Sequence, residues 1–229
     1  PRIYSDASSP TPRTQLLSNG NYSVMVTTAG SGYSRCGSHA VYRWREDVTR
    51  DHWGQFFYIR NRGTRNVWSP GYQPTAVAPE KYEVSFAEDK VELWREDGNV
   101  STHTEIVVSP EEPVEIRRIS LTNNSPEAQE FEVTSYMETV LAPLQEDADH
   151  PAFSNLFVQT EFIAEECALL ATRRRRSEQE EPIFGFHVLS VEGETVGGIQ
   201  YETDRTAFLG RNRSPSDALV IAQDLSLTN

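Results

Sequence analysis

Tyr82-Glu83-Val84-Ser85-Phe86, Ala87-Glu88-Asp89, Lys90-Val91-Glu92-Leu93-Trp94-Arg95, Glu96-Asp97-Gly98-Asn99 and the run from Val100 to Val108 form one continuous stretch whose reading decides the fold. Apolar and polar residues alternate with a period of two, the signature of a half-buried strand. Short acidic breaks separate the runs, and Asp-Gly at the centre of the second break is a strong hairpin signal.

The same grammar extends in both directions. Downstream, Ser109-Pro110-Glu111-Glu112-Pro113 turns the chain into Val114–Leu121, which is expected to pair with residues 129–141 across Asn123-Asn124-Ser125-Pro126. A hairpin from Leu156–Ile163 and Ala168–Arg173 follows, then strands over 184–191 and 198–203. Upstream, Leu16–Thr28 reads as two strands around Ser18-Asn19-Gly20-Asn21. His39–Trp44 and Gln55–Arg60 are further strands, the latter turned back through residues 61–65 into Asn66–Ser69. Turn signals at this spacing define an all-β sandwich. At most two short helices are expected, one of them starting at Ser214 as N-cap with Pro215 in the first turn and running through Ala222. Residues 1–13, with Pro1, Pro10, Pro12 and several serines, read as an extended arm or linker, and 14–229 as one sandwich domain. The chain starts without Met and stops abruptly at Asn229, so it is read as a fragment of a longer protein, truncated at its C-terminal end.

Composition narrows the partners. The 34 acidic residues outnumber the 21 basic ones and leave a net charge of −13, which disfavours nucleic acid or an anionic membrane surface as partner. The two cysteines, Cys36 and Cys167, make no disulfide framework and are read as reduced thiols. No apolar run approaches the roughly 20 residues of a membrane helix. The five histidines lack metal-site spacing, so no metal and no cofactor is expected. The run Arg173-Arg174-Arg175-Arg176, followed by Glu178 to Glu181, reads as a solvated hairpin tip.

The candidate site lies in Thr14–Pro74. An apolar strand, Tyr22-Ser23-Val24-Met25-Val26, ends in Thr27-Thr28-Ala29-Gly30-Ser31-Gly32-Tyr33-Ser34-Arg35. Three of the four tryptophans follow, Trp44, Trp53 and Trp68, interleaved with Arg43, Asp47 and Gln73. Aromatic faces beside planar hydrogen-bonding groups suit a sugar, which has apolar C–H faces and a hydroxyl rim. The expectation is one concave face built from Gly30–Arg35, Trp44, Trp53 and Trp68; the competing reading plugs these tryptophans into the core. The loop over 142–154, which carries His150 before Pro151, is long enough to be functional and makes His150 a contact for sugar or a partner domain.

These residues also carry a resemblance. Arg13 to Thr27, the Gly-Ser-Gly-Tyr-Ser loop at 30–34, Trp44-Arg45-Glu46-Asp47, His150 to Glu161, Tyr201 to Arg205 and Phe208 to Arg211 resemble the former glycosyltransferase family 36. That family is now grouped with the inverting, cellobiose-phosphorylase-like enzymes of glycoside hydrolase family 94, and the resemblance is greatest to its cyclic β-1,2-glucan synthases. It implies a supersandwich related to galactose-mutarotase-like folds. It further implies a non-catalytic, carbohydrate-binding or structural module that packs on an absent α-helical barrel holding the catalytic acid, with homodimer formation and a β-glucan oligosaccharide as ligand. Ser31, Gly32, Tyr33, Ser34, Arg43, Trp44 and Asp47 are the residues it implicates. Cys36 departs from the pattern, standing where the family usually has tryptophan. Reduced thiols place the chain in the cytoplasm, with a parent that can be anchored in the inner membrane.

Two other readings stand beside this one. The first is a free-standing sugar-binding module. The second is an aldose-epimerase-like enzyme, which would need His103, His150 or His187 to converge with Glu138 or Glu161. Asp47, Asp51, Glu138 and Glu161 are the acids nearest the family blocks, and spacing picks no catalytic pair among them.

Overall fold

A computed structural model describes residues 1–11, 13–175 and 177–227. Pro12 of the expected arm, Arg176 of the arginine run, and Thr228 and Asn229 lie outside the described residues. In chain order the strands are β1 (Arg2–Tyr4), β2 (Thr14–Ser18), β3 (Tyr22–Thr27), β4 (Gly32–Cys36), β5 (His39–Tyr42), β6 (Phe56–Asn61), β7 (Val67–Trp68), β8 (Lys81–Phe86), β9 (Lys90–Asp97), β10 (Val100–Val108), β11 (Glu115–Asn123), β12 (Phe131–Tyr136), β13 (Thr139–Pro143), β14 (Val158–Ile163), β15 (Ala168–Arg173) and β16 (Ile183–Val188). Among the described residues four short α-helices accompany them: α1 (Leu144–Asp149), α2 (Pro151–Ser154), α3 (Arg205–Leu209) and α4 (Leu219–Gln223). The chain divides into two compact units, one made of Pro1–Gly37 with Tyr42–Glu138, the other of Ser38–Val41 with the chain from Thr139 onward.

The first unit is a β-sandwich. One layer is an antiparallel sheet in the order β1-β8-β9-β10-β11. Its centre is the stretch quoted first: Phe86 pairs with Val91 and Asp97 with Val100, so both breaks are hairpins. The alternation works as read, because Tyr82, Val84, Phe86, Val91 and Leu93 all turn inward and are buried. Burying each such side chain is worth about 1.5–3 kcal/mol. Opposite this sheet stand β12-β6-β7 and β4-β3-β2. Ile59, Trp68 and Val100 form a core cluster between the layers, joined by Ile119, Leu121 and Phe131.

Two expectations change in this unit. Residues 114–121 do not pair with 129–141. Instead β11 pairs with β10 along its whole length, from Val100↔Asn123 to Val108↔Glu115, and β12 pairs with β6, from Phe131↔Asn61 to Tyr136↔Phe56. The Asn123 side chain accepts hydrogen bonds from Ser125 N and Gln129 Nε2, each at 3.0 Å, and so folds residues 123–129 on themselves while the chain crosses to the other layer. Turn chemistry marks where the chain bends, not which strand it pairs with next. Within the expected arm, Arg2–Tyr4 is a strand that pairs with β8 as a sheet edge.

In the second unit β5 lies beside β13, and Ala40, Val140, Ala142 and Leu144 pack together. The antiparallel sheet β14-β15-β16 contains the expected hairpin, with Ile163 opposite Ala168. Residues 198–203 form no strand. The expected loop over 142–154 is mostly helical, and the helix expected after Ser214 splits into a capped 3-10 turn (Pro215–Asp217) and α4, because Ala218 is extended between them. Helices of four to six residues are too short to show a 3.6-residue period in sequence. No helix among the described residues is long and apolar enough to cross a membrane.

Candidate functional site

The glycine-built loop after β3 is a tight, fully bonded turn. Thr27 Oγ1 accepts the N–H groups of Ala29 and Ser31 at 3.3 and 3.2 Å, and Gly30 N donates to Thr27 O at 3.0 Å. Gly32 has φ +152°, and a Cβ there would collide with the Met25 carbonyl. A Cβ on Gly71 would collide with the Ala29 carbonyl, so the segment after Trp68 lies backbone to backbone on the loop. The buried guanidinium of Arg95 fixes that segment. It donates to Gly71 O at 2.9 Å and Val77 O at 3.0 Å and forms a fork with Asp97 at 2.6 and 2.8 Å. Tyr82 Oη closes the floor by donating to Thr28 O at 2.6 Å.

Strand β4 then sorts its residues by parity. Ser34 turns inward and is fully buried in a polar cluster. Its hydroxyl donates to Glu115 Oε1 and bonds Tyr42 Oη at 2.9 Å, while Tyr22 Oη donates to the same Glu115 oxygen at 3.2 Å. Arg117 answers with Nε to Glu115 Oε2 at 2.8 Å and further bonds to Tyr42 Oη and the Gln55 carbonyl. Burial, reinforced by the Glu115 charge, raises both tyrosine pKa values, so both remain neutral donors. Burial alone would lower Arg117, but the charge and hydrogen bond of the Glu115 carboxylate reverse this and hold it charged.

Tyr33 and Arg35 turn the other way and stay partly exposed. The Tyr33 ring meets Trp44 edge to face at 5.4 Å, and the Arg35 guanidinium lies over Tyr33 at 4.5 Å. Trp53 borders the loop through its carbonyl, which accepts Gly32 N at 3.0 Å, and its indole packs against His52 at 5.1 Å. Arg35 Nε and His52 Nδ1 are buried atoms without a hydrogen-bond partner among the described residues. Tyr33 and Trp44 thus offer aromatic surface with the Arg35 guanidinium beside it, which can hold a ligand with an apolar face and a hydroxyl rim.

The other expected site residues have structural positions. Trp68 corrects the expected concave face: it is 4% exposed, packs edge-on to Phe131 at 6.2 Å and donates from Nε1 to Thr102 Oγ1 at 3.3 Å. Strand parity on β7 sends it into the core. Ser31 is buried, with its hydroxyl on the Asp51 carbonyl at 2.5 Å. Arg43 is 7% exposed, paired with Glu138 at 2.7 Å. Gln73 is tied to the loop through its own N–H, which donates to Ala29 O at 2.9 Å. Asp47 is exposed, and bonds from the Thr49 hydroxyl and N–H hold its carboxyl below the usual range. Asp51, which accepts from Thr27 Oγ1 at 2.7 Å, is pushed upward by burial against the pull of Thr27 and Ser31. His150 belongs to the second unit and is exposed at the junction of α1 and α2. Among the described residues no group of three His, Cys, Asp or Glu side chains is placed to hold a metal ion.

Sequence reasoning placed Arg35 in the Gly30–Arg35 face, and its i, i+2 spacing from Tyr33 on a strand puts both on one side. It missed Glu115 and Arg117, whose partners Ser34 and Tyr42 lie 81 and 75 residues away, and it named Glu138 as a candidate acid without its partner Arg43, 95 residues away.

A sandwich of this construction, with its glycine-built turn, falls into a recognised class. The sequence profile of the glycosyl hydrolase 94 supersandwich domain matches residues 1–229, and the chain belongs to that family. Among particular relatives, cyclic beta-(1,2)-glucan synthase NdvB of Rhizobium meliloti (strain 1021) is 36% identical over 95% of this chain and 8% of its own length. Solabiose phosphorylase of Paenibacillus borealis is 29% identical over 68% of this chain and 19% of its own. N,N'-diacetylchitobiose phosphorylase of Vibrio furnissii is 24% identical over 93% and 26%. The chain therefore spans about a quarter or less of the relatives it matches.

Proposed function

We propose that this supersandwich domain is a non-catalytic carbohydrate-binding module of a glucan synthase- or phosphorylase-like parent, and that it engages a β-linked gluco-oligosaccharide through Tyr33, Trp44 and Arg35. The observation that carries this reading is the edge-to-face Tyr33–Trp44 pair with the Arg35 guanidinium over Tyr33, on the strand that leaves a closely packed glycine loop. A rigid aromatic surface loses little entropy on binding. The relatives named above are, by name, a synthase of a β-1,2-glucan and phosphorylases of disaccharides, which supports the ligand class. In the parent, the module packs against a helical-barrel catalytic domain in the cytoplasm and takes part in a homodimer.

The test is Tyr33→Ala and Trp44→Ala, each titrated calorimetrically with linear β-1,2-glucan and melted in parallel. Both residues are partly exposed. Affinity should fall about tenfold, or about 1.4 kcal/mol, while the melting temperature stays near wild type. Unfolding of both variants, or unchanged binding in both, would refute the reading.

A further inference from the structure

The second unit contains an open recess of about 330 Å³ lined by Glu146, His150, Phe153, Ser154, Phe157 and Arg173. We propose that it is a separate saccharide-binding site, sized for one or two hexose residues. The ligand class rests on the carbohydrate reading above, but the site does not depend on the Tyr33 surface.

The walls of the recess are built rather than incidental. Arg173 NH1 donates to Val140 O and Ser154 O, both at 3.1 Å, and so ties β15 to β13 and to the end of α2. The guanidinium groups of Arg173 and Arg174 lie over Phe157 at 5.4 and 5.2 Å and hold that ring as a fixed wall. His150 is the hinge between α1 and α2, and its carbonyl accepts the N–H groups of Phe153 and Ser154 at 3.1 and 3.0 Å. This short turn brings the His150 and Phe153 rings together edge to face at 6.2 Å and leaves Phe153 63% exposed. A phenyl ring that far into water carries an unfavourable hydration cost, which a stacked ligand removes. A sugar matches the lining: its C–H face meets Phe153, and its hydroxyls meet the imidazole and the Glu146 carboxylate at the rim. The volume lies at the lower end of small-molecule sites, which excludes a long chain bound along its length.

The experiment titrates the chain with a short linear β-1,2-linked gluco-oligosaccharide and follows the His150 imidazole proton by NMR, assigned through its loss in His150→Ala. Calorimetry counts the sites. Two binding events are expected. Phe153→Ala should remove one of them and abolish the His150 shift, and Tyr33→Ala should remove the other and leave that shift intact. The proposal is overturned if the probe does not move the His150 signal, or if Phe153→Ala binds as wild type does. A His150 shift with no effect of Tyr33→Ala sinks the first site and keeps this one; the reverse pattern does the opposite. If Phe153→Ala fails to fold, the wild-type His150 signal and His150→Gln decide the question alone.

Discussion

Removing the Glu115 carboxylate should destabilise the first unit more than removal of any exposed acid. Glu115 accepts from Ser34, Tyr22 and Arg117 at a side-chain exposure of 9%, and Arg117 is equally enclosed. In Glu115→Ala the guanidinium keeps its charge in the interior, with Tyr42 and the Gln55 carbonyl as its remaining partners among the described residues. Two hydroxyls lose their acceptor as well. Breaking a buried pair from one side costs about 3–5 kcal/mol, and for a chain of this size that lowers the melting temperature by roughly 6–20 °C. Urea unfolding read by tryptophan fluorescence suits the question, because Trp44, Trp53, Trp68 and Trp94 all lie in the unit that contains Glu115. The double variant Glu115→Leu, Arg117→Met removes both charges, and it should be more stable than Glu115→Ala. A loss below about 1 kcal/mol in Glu115→Ala, the range of an exposed ion pair, would refute the reasoning. So would a double variant no better than the single one.

Two further outcomes follow from the same unit. Trp68→Ala should cost about 3–5 kcal/mol in urea unfolding, because the indole fills the core between Ile59, Val100 and Phe131; a near-neutral change would return Trp68 to the surface. Asp51 has its folded pKa raised by burial, so its ionised form is a cost at neutral pH, and that cost is relieved as pH falls through the raised pKa. The stability difference between wild type and Asp51→Asn, measured by urea titration from pH 7 down to pH 4, should therefore move in favour of wild type on acidification; movement the other way would contradict the assigned burial.

The strands of the first unit were legible in the residues themselves. Lys90–Asp97 and Val100–Val108 declare their buried faces by alternation, and Asp97-Gly98 and Asn19-Gly20 declare their hairpins, because these signals act between residues adjacent in the chain. The family blocks added the supersandwich class. Pairing across longer distances was not legible. Val114–Leu121 has the pattern of a strand that could pair on either side, and only the packed layers determine that β11 completes β10 while β12 crosses to β6.

The division of the candidate site between surface and interior belongs to the tertiary structure for the same reason. Trp44 and Trp68 are equally aromatic in sequence, and Ser34 is one residue from Tyr33. Composition and spacing assign all four to one cluster. Strand parity then turns Tyr33 outward and Ser34 inward, and the burial of Trp68 depends on Thr102 and Phe131, 34 and 63 residues further along. Short-range steric rules fix the period and the turns, and so the sequence alone determined that this chain is a β-sandwich with a glycine-built loop. Which aromatic ring meets solvent depends on contacts between strands brought together only on folding, and so only the tertiary structure decided it.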